Sequence, residues 1–147
     1  MTLRRRQTLA LGAGLLTTLL VRPGHAATGE LAAAVNAFAG GTPPQPGKVR
    51  LDISTLVENG NAVPVTLSVD SPMTATDHVR AIALFNERNP QRDVIVLAFG
   101  PYAARAAAST RIRLATSQQL VAVALLSDGT AWSQTVDVIV TLAACIE

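Results

Sequence analysis

One side chain in this sequence has the chemistry to carry a covalent passenger. It is Cys145, the only cysteine, within the ending Thr141-Leu-Ala-Ala-Cys-Ile-Glu147. A thiolate serves as nucleophile or metal ligand, so the other reactive groups decide which use fits. His78 and Cys145 are the only soft ligands left once a leader holding His25 is set aside. Zinc or copper would want three or four, so no metal is expected. A single histidine also gives no Cys-His-Asn constellation to assemble. His78, at the start of a strand, reads as a structural histidine. A self-activated cysteine needs Lys, Arg, His⁺ or a helix N-terminus to lower its pKa, whereas the sequence neighbours here are Glu147 and the terminal carboxylate. Both disfavour the thiolate. Asp70 and Asp77 are too far apart, and too loop-like, for an acid–base pair. Arg80, Arg111 and Arg113 could bind an anionic adduct, although solvated strand faces also account for them. No catalytic residue is therefore expected. Cys145 reads as a seat for a group, with the chemistry done by partners. The plainer alternative, a thiol that is the last apolar residue of a strand, stays open.

The elements that must position this residue are mostly strands. Glu30 to Phe38 (ELAAAVNAF) predicts a short helix stopped by Gly40-Gly41. Thr42 to Gly47 (TPPQPG) is a connector that cannot continue it. From there the period is two. Val49, Leu51 and Ile53 alternate with Lys48, Arg50 and Asp52, and Val63, Val65, Leu67 and Val69 with Pro64, Thr66, Ser68 and Asp70. Pro64 favours an edge or strand-entry position. Glu58-Asn59-Gly60-Asn61 is a turn candidate. His78 to Asn86 is a further strand, and Asp93 to Phe99, nearly all apolar, predicts a central strand between two layers. Ala107 to Leu114 places Arg111 and Arg113 opposite Ile112 and Leu114. Gln119 to Leu126 runs into Ser127-Asp128-Gly129-Thr130, a tight hairpin signal. Trp132 to Leu142 closes the set, with Val136, Val138, Val140 and Leu142 on one face, and Trp132 packing in the core or at an interface. The fold class is all-β: an immunoglobulin-like antiparallel β-sandwich of about seven strands with a short N-terminal helix. A tail from Leu142 to Glu147 would reach roughly 15 Å, at about 3.3 Å per residue. Such a reach suits a carrier more than a catalyst.

The remaining stretch is a leader. Arg4-Arg5-Arg6, an apolar run from Leu9 to Val21 and Gly24-His25-Ala26 form a secretion signal with expected cleavage after Ala26. The paired arginines suggest the twin-arginine route, and the run is too short for a membrane span. The expected organisation is 1–26 signal, 27–47 helix and connector, 48–142 sandwich and 143–147 arm. The signal takes four of the twelve basic residues, leaving eight against ten acids and a mature net charge of −2. With five aromatics and no basic stripe, nucleic-acid binding is not expected.

Three stretches resemble the SoxY family, the Y subunit of the sulfur-oxidising (Sox) system. They are GKVRLDISTLVENGNAVPVTLSVDSPM (Gly47 to Met73), HVRAIALFNERNP (His78 to Pro90) and STRIRLATSQQLVAVALLSDGTAWSQTVDVIVT (Ser109 to Thr141). NGNAVPV and the near-terminal cysteine are their most specific parts. The resemblance implies a periplasmic carrier that is not an enzyme and has no cofactor of its own. It implies a heterodimer with a SoxZ-like sandwich, and sulfur-oxidation enzymes that dock the arm. Cys145 would be the covalent attachment point for sulfur intermediates such as those of thiosulfate oxidation. The competing reading is a non-catalytic interaction sandwich whose cysteine packs or cross-links partners. Family members usually end in GGCGG. Here Ala143, Ala144, Ile146 and Glu147 flank the cysteine, as in a SoxY-related branch with an AACIE arm. Alanine is the stiffer choice.

Overall fold

The structure is a computed structural model and describes residues 26–144, with side chains from Gly29 onward. Residues 1–25 of the expected signal, and Cys145, Ile146 and Glu147, lie outside the described residues. Ten elements follow in order: α1 (Ala26–Phe38), β1 (Gln45–Pro46), β2 (Val49–Asp52), β3 (Leu56–Val57), β4 (Val63–Val69), β5 (Val79–Asn86), β6 (Asp93–Ala98), β7 (Ala107–Ile112), β8 (Gln118–Leu126) and β9 (Ala131–Val140). The two-residue β1 and β3 add to the seven strands that the sequence pattern predicts.

Two sheets make the sandwich. The larger has the order β1-β9-β8-β5-β6, with β3 also paired to β9, and the smaller is β2-β4-β7. The longer strands pair antiparallel, whereas β1 and β3 run parallel to β9. The period-two segments behave as their alternation requires. Val63, Val65, Leu67 and Val69 of β4 point inward. There they meet Ile82 and Leu84 of β5, Leu120 and Ala122 of β8, and Val138 of β9 in one core. Each such aliphatic side chain contributes about 1.5–3 kcal/mol by leaving water. Pro64 lies at strand entry, before β2 begins to pair with β4 at Thr66.

The predicted central position of Asp93 to Phe99 is corrected. The segment β6 pairs only with β5 and forms the sheet edge. Val96 is 53% exposed, while Val94, Ile95 and Leu97 are half-buried against the core. The strands buried on both faces are β5 and β8. Their second face is covered by α1, whose Leu31 and Val35 pack on Ala83, Phe85, Val121 and Val123. Phe38 meets Phe85 edge-on at 5.7 Å, and Glu30 pairs with Arg92 at 2.6 Å. The helix begins at Ala26, earlier than predicted. It ends where Gly40 and Gly41 take φ of 92° and 99°, with the Gly41 N–H donating to the Asn36 carbonyl at 2.7 Å.

The segment after the helix changes sheets twice. β1 lies on β9 beside Trp132 and Ser133, β2 crosses to pair with β4, and β3 returns to β9 beside Ile139 and Val140. What reads as a proline-rich connector thus supplies a strand.

Candidate functional site

The residues that lead to Cys145 are positioned at the C-terminal end of β9. That strand stops at Val140, so Leu142 does not continue the Val136–Val138–Val140 face and is instead 60% exposed. Competing bonds from β3 and the turn behind it explain the stop. The Thr141 N–H donates to the Val57 carbonyl at 3.0 Å, and its hydroxyl donates to the Glu58 carbonyl at 3.2 Å. On the other side the Val140 N–H donates to the Ser117 hydroxyl at 2.8 Å.

Beyond Thr141 the backbone enters a knot of three hydrogen bonds. The Gly60 N–H donates to the Leu142 carbonyl (2.8 Å), the Leu114 N–H to the Gly60 carbonyl (2.9 Å), and the Ala144 N–H to the Leu114 carbonyl (3.1 Å). Leu114 is fully buried, and Ala144 is buried while Ala143 is exposed. The tail expected to swing from Leu142 is therefore anchored through Ala144, the residue before Cys145. Of the arm residues named from sequence, Ala143 and Ala144 belong to this root, and Cys145, Ile146 and Glu147 lie outside the described residues.

Gly60 has a spatial reason to be glycine. Its φ is not positive, but a Cβ there would overlap the Leu114 carbonyl oxygen, 3.0 Å from Ala144 N and 3.2 Å from Val140 Cγ1. The preceding Asn59 shapes the turn, its Oδ1 accepting the Asn61 N–H at 3.0 Å. The stretch NGNAVPV thus contributes Gly60 to a collar that holds the last described residues.

Leu114 is held in turn by a polar cluster from the NERNP segment. Asn89 donates through Nδ2 to the Arg113 carbonyl (2.8 Å), and its Oδ1 accepts the Ala115 N–H (3.0 Å) and Gln118 Nε2 (2.9 Å). Asn86 fixes Asn89 by accepting its N–H at 2.8 Å. Asn86 and Gln118 are the buried polar side chains of the described core, and each is satisfied, as burial demands. The sequence reading missed Gly60, Asn89 and Gln118. NGNAVPV, among the most specific parts of the resemblance, and the NERNP end of the His78 to Pro90 segment were the available signals, without any indication that they meet beside Ala144.

The other sequence candidates are dispersed. Arg80 and Arg111 are exposed on strand faces, Arg113 is exposed one residue past β7, and Asp70 and Asp77 lie exposed in loops. His78 is half-buried, its Nδ1 3.0 Å from the Thr74 carbonyl oxygen and its N–H on the Ser127 hydroxyl. Among the described residues no three His, Cys, Asp or Glu side chains cluster as a metal site, and no helix is long and apolar enough to cross a membrane. Trp132 sits near the opposite end of β9, half-buried, with Lys48 Nζ 4.8 Å from its ring centre. An open groove of about 490 Å³ flanks the collar between β2, β3 and β4. It carries the carboxylates of Asp52 and Glu58, a poor surface for an anion.

Fold and site together define an immunoglobulin-like two-sheet sandwich whose last described residues are held by a backbone collar. The family described as sulfur oxidation protein SoxY matches residues 35–145, and the chain belongs to that family. The match reaches Cys145 itself. Among solved structures, the sulfur carrier protein SoxY from Chlorobium limicola f. thiosulfatophilum is similar at 24% identity and TM-score 0.65, over 77% of this chain and 93% of that one. A superoxide reductase (neelaredoxin) from Ignicoccus hospitalis is similar at 21% identity and TM-score 0.57, over 76% and 97%. A putative superoxide reductase from Thermotoga maritima is similar at 18% identity and TM-score 0.54, over 63% and 84%. These likenesses concern the fold. No curated protein sequence matches the chain.

Proposed function

We propose that this chain is the carrier subunit of a periplasmic sulfur-oxidation system and holds sulfur intermediates covalently on Cys145. The observation that carries the reading is the family match running from the helix to Cys145. The geometry agrees with it: a collar built from the family's most specific stretch meets the chain one residue before that cysteine. Loading needs only thiol–disulfide exchange. The Cys145 thiolate attacks a sulfur of a partner-bound S–S group, a new Sγ–S bond forms, and the old S–S bond breaks. Its electron pair leaves on the partner's sulfur as a thiolate, with no net oxidation. The carrier needs no cofactor of its own for this, and the enzymes that oxidise or hydrolyse the cargo are separate chains.

The leader fits export by the twin-arginine route, which places the carrier in the periplasm after cleavage near Ala26. A SoxZ-like sandwich is the standing partner, and oxidation products of thiosulfate are the cargo. Intact mass spectrometry of protein from sulfur-fed cells tests this. The expected result is added mass in sulfur or sulfonate increments, abolished by Cys145→Ser. A bare thiol or a plain protein disulfide, whatever the sulfur supply, would favour the rival reading of an interaction module.

A further inference from the structure

The collar sets a limit on the reach of the cargo that bears on how enzymes approach it. Ala144 is buried and its N–H is bonded to the Leu114 carbonyl. Cys145 follows by one Cα–Cα step of ~3.8 Å, plus its own two-bond side chain. With the root folded, its sulfur stays close to the sandwich surface. A catalytic centre that reaches the sulfur must therefore bring its entrance against the residues around the collar.

Those residues are unusually apolar. Five large hydrophobic side chains are exposed among the described residues, and two of them, Leu56 (56%) and Ile139 (59%), lie together, while a third, Leu142 (60%), belongs to the collar itself. Leu56 and Ile139 are register partners across the parallel β3–β9 pair, so they stand side by side on the sheet's outer face. Single exposed hydrophobics are ordinary; a cluster beside a reactive group marks a contact surface. The rim around it is acidic, with Glu58 and Asp137 exposed.

Resting on the carrier reading, the geometry points to Leu56, Ile139 and Leu142 as the surface on which an enzyme that loads Cys145 seats its active-site entrance. That entrance is apolar at its centre and basic at its margin, and the arm root stays folded during transfer. The partner matches in polarity what the collar exposes, and the short tether makes the contact obligatory.

The test uses the full chain in its native host, with Leu56→Ser combined with Ile139→Thr, and separately Ile139→Lys. Thiosulfate is supplied and the initial rate of mass gain on Cys145 is followed by intact mass spectrometry. The expected result is at least a tenfold slower gain in both variants. Thermal unfolding and the reaction of Cys145 with a small aromatic disulfide should stay as in wild type. Wild-type loading rates in the variants would overturn the inference while leaving the carrier reading intact. A changed oligomeric state on size exclusion would assign the surface to a second copy or a standing partner, and overturn it as well. If the wild-type chain itself gains no mass, the carrier reading fails and this inference falls with it.

Discussion

The two ends of β9 are held by different means. At the entry, the β8–β9 hairpin is fixed by short-range side-chain bonds: Asp128 accepts the Thr130 N–H (2.9 Å) and hydroxyl (2.6 Å), and Trp132 Nε1 donates to the Thr130 hydroxyl (2.9 Å). At the exit, the chain is held by backbone bonds among Gly60, Leu114, Leu142 and Ala144. The first arrangement lies within a few residues and yields to single side-chain changes. The second joins segments far apart in sequence and depends on one position having no side chain. The last described residues thus sit in the more constrained of the two settings.

The sharpest way to break this contrast is Gly60→Ala. The new methyl has no space beside the Leu114 carbonyl, so the change should cost about 2–3 kcal/mol in urea unfolding, as overpacking does. The Ala144 amide should also exchange faster with solvent. Gly100→Ala, where an added Cβ meets nothing within 4 Å, should stay within about 0.5 kcal/mol of wild type.

Next in size is Asn89→Ala. It removes the acceptor shared by Ala115 and Gln118 and the donor to Arg113, and should cost about 2 kcal/mol. If the collar depends on this support, amide exchange should rise at Leu114 and Ala144 but not in the hairpin.

The smallest effects belong to the hairpin. The Thr130 hydroxyl, then the Thr130 N–H, hold the Asp128 carboxyl below its ordinary value of 3.8. A carboxyl with a lowered folded pKa stabilises the fold above its unfolded pKa, and that contribution disappears as pH falls through the folded value. The hairpin should therefore loosen only in acid below that ordinary value, when followed by carboxyl NMR titration. Thr130→Val should raise the Asp128 pKa towards the ordinary value and leave the neutral-pH unfolding midpoint almost unchanged, since the group is fully exposed.

What the sequence disclosed follows the same division. Local chemistry was readable: the alternation of β2, β4 and β7, the Ser127–Thr130 turn and the glycine stop of α1 each depend on neighbours within a few positions. Long-range choices were not. The apolar run of β6 looked central because periodicity reports polarity and not how many layers cover a strand. The doubly buried β5 and β8 owe their second cover to Leu31 and Val35 of a helix far away in sequence. The two-residue β1 and β3 exist only through their pairing with β9. Leu142 seemed to extend the last strand, since nothing local announces that Val57 and Gly60 will claim the backbone there. Cys145 stood out in the sequence as the candidate attachment residue, through its isolation and the family resemblance, and the family match extends to it. The collar at Gly60, Leu114 and Ala144 was not legible.

The double change of sheet between Gln45 and Val57 has a mechanical consequence. One short stretch of chain laces the two layers to each other along the margin of β9, so neither layer can peel away while the other stays whole. Denaturant should then melt the body in a single cooperative step, and a pull applied at the C-terminus would meet the lacing and the full width of the larger layer together. A tug on the last described residues is then borne by the entire body.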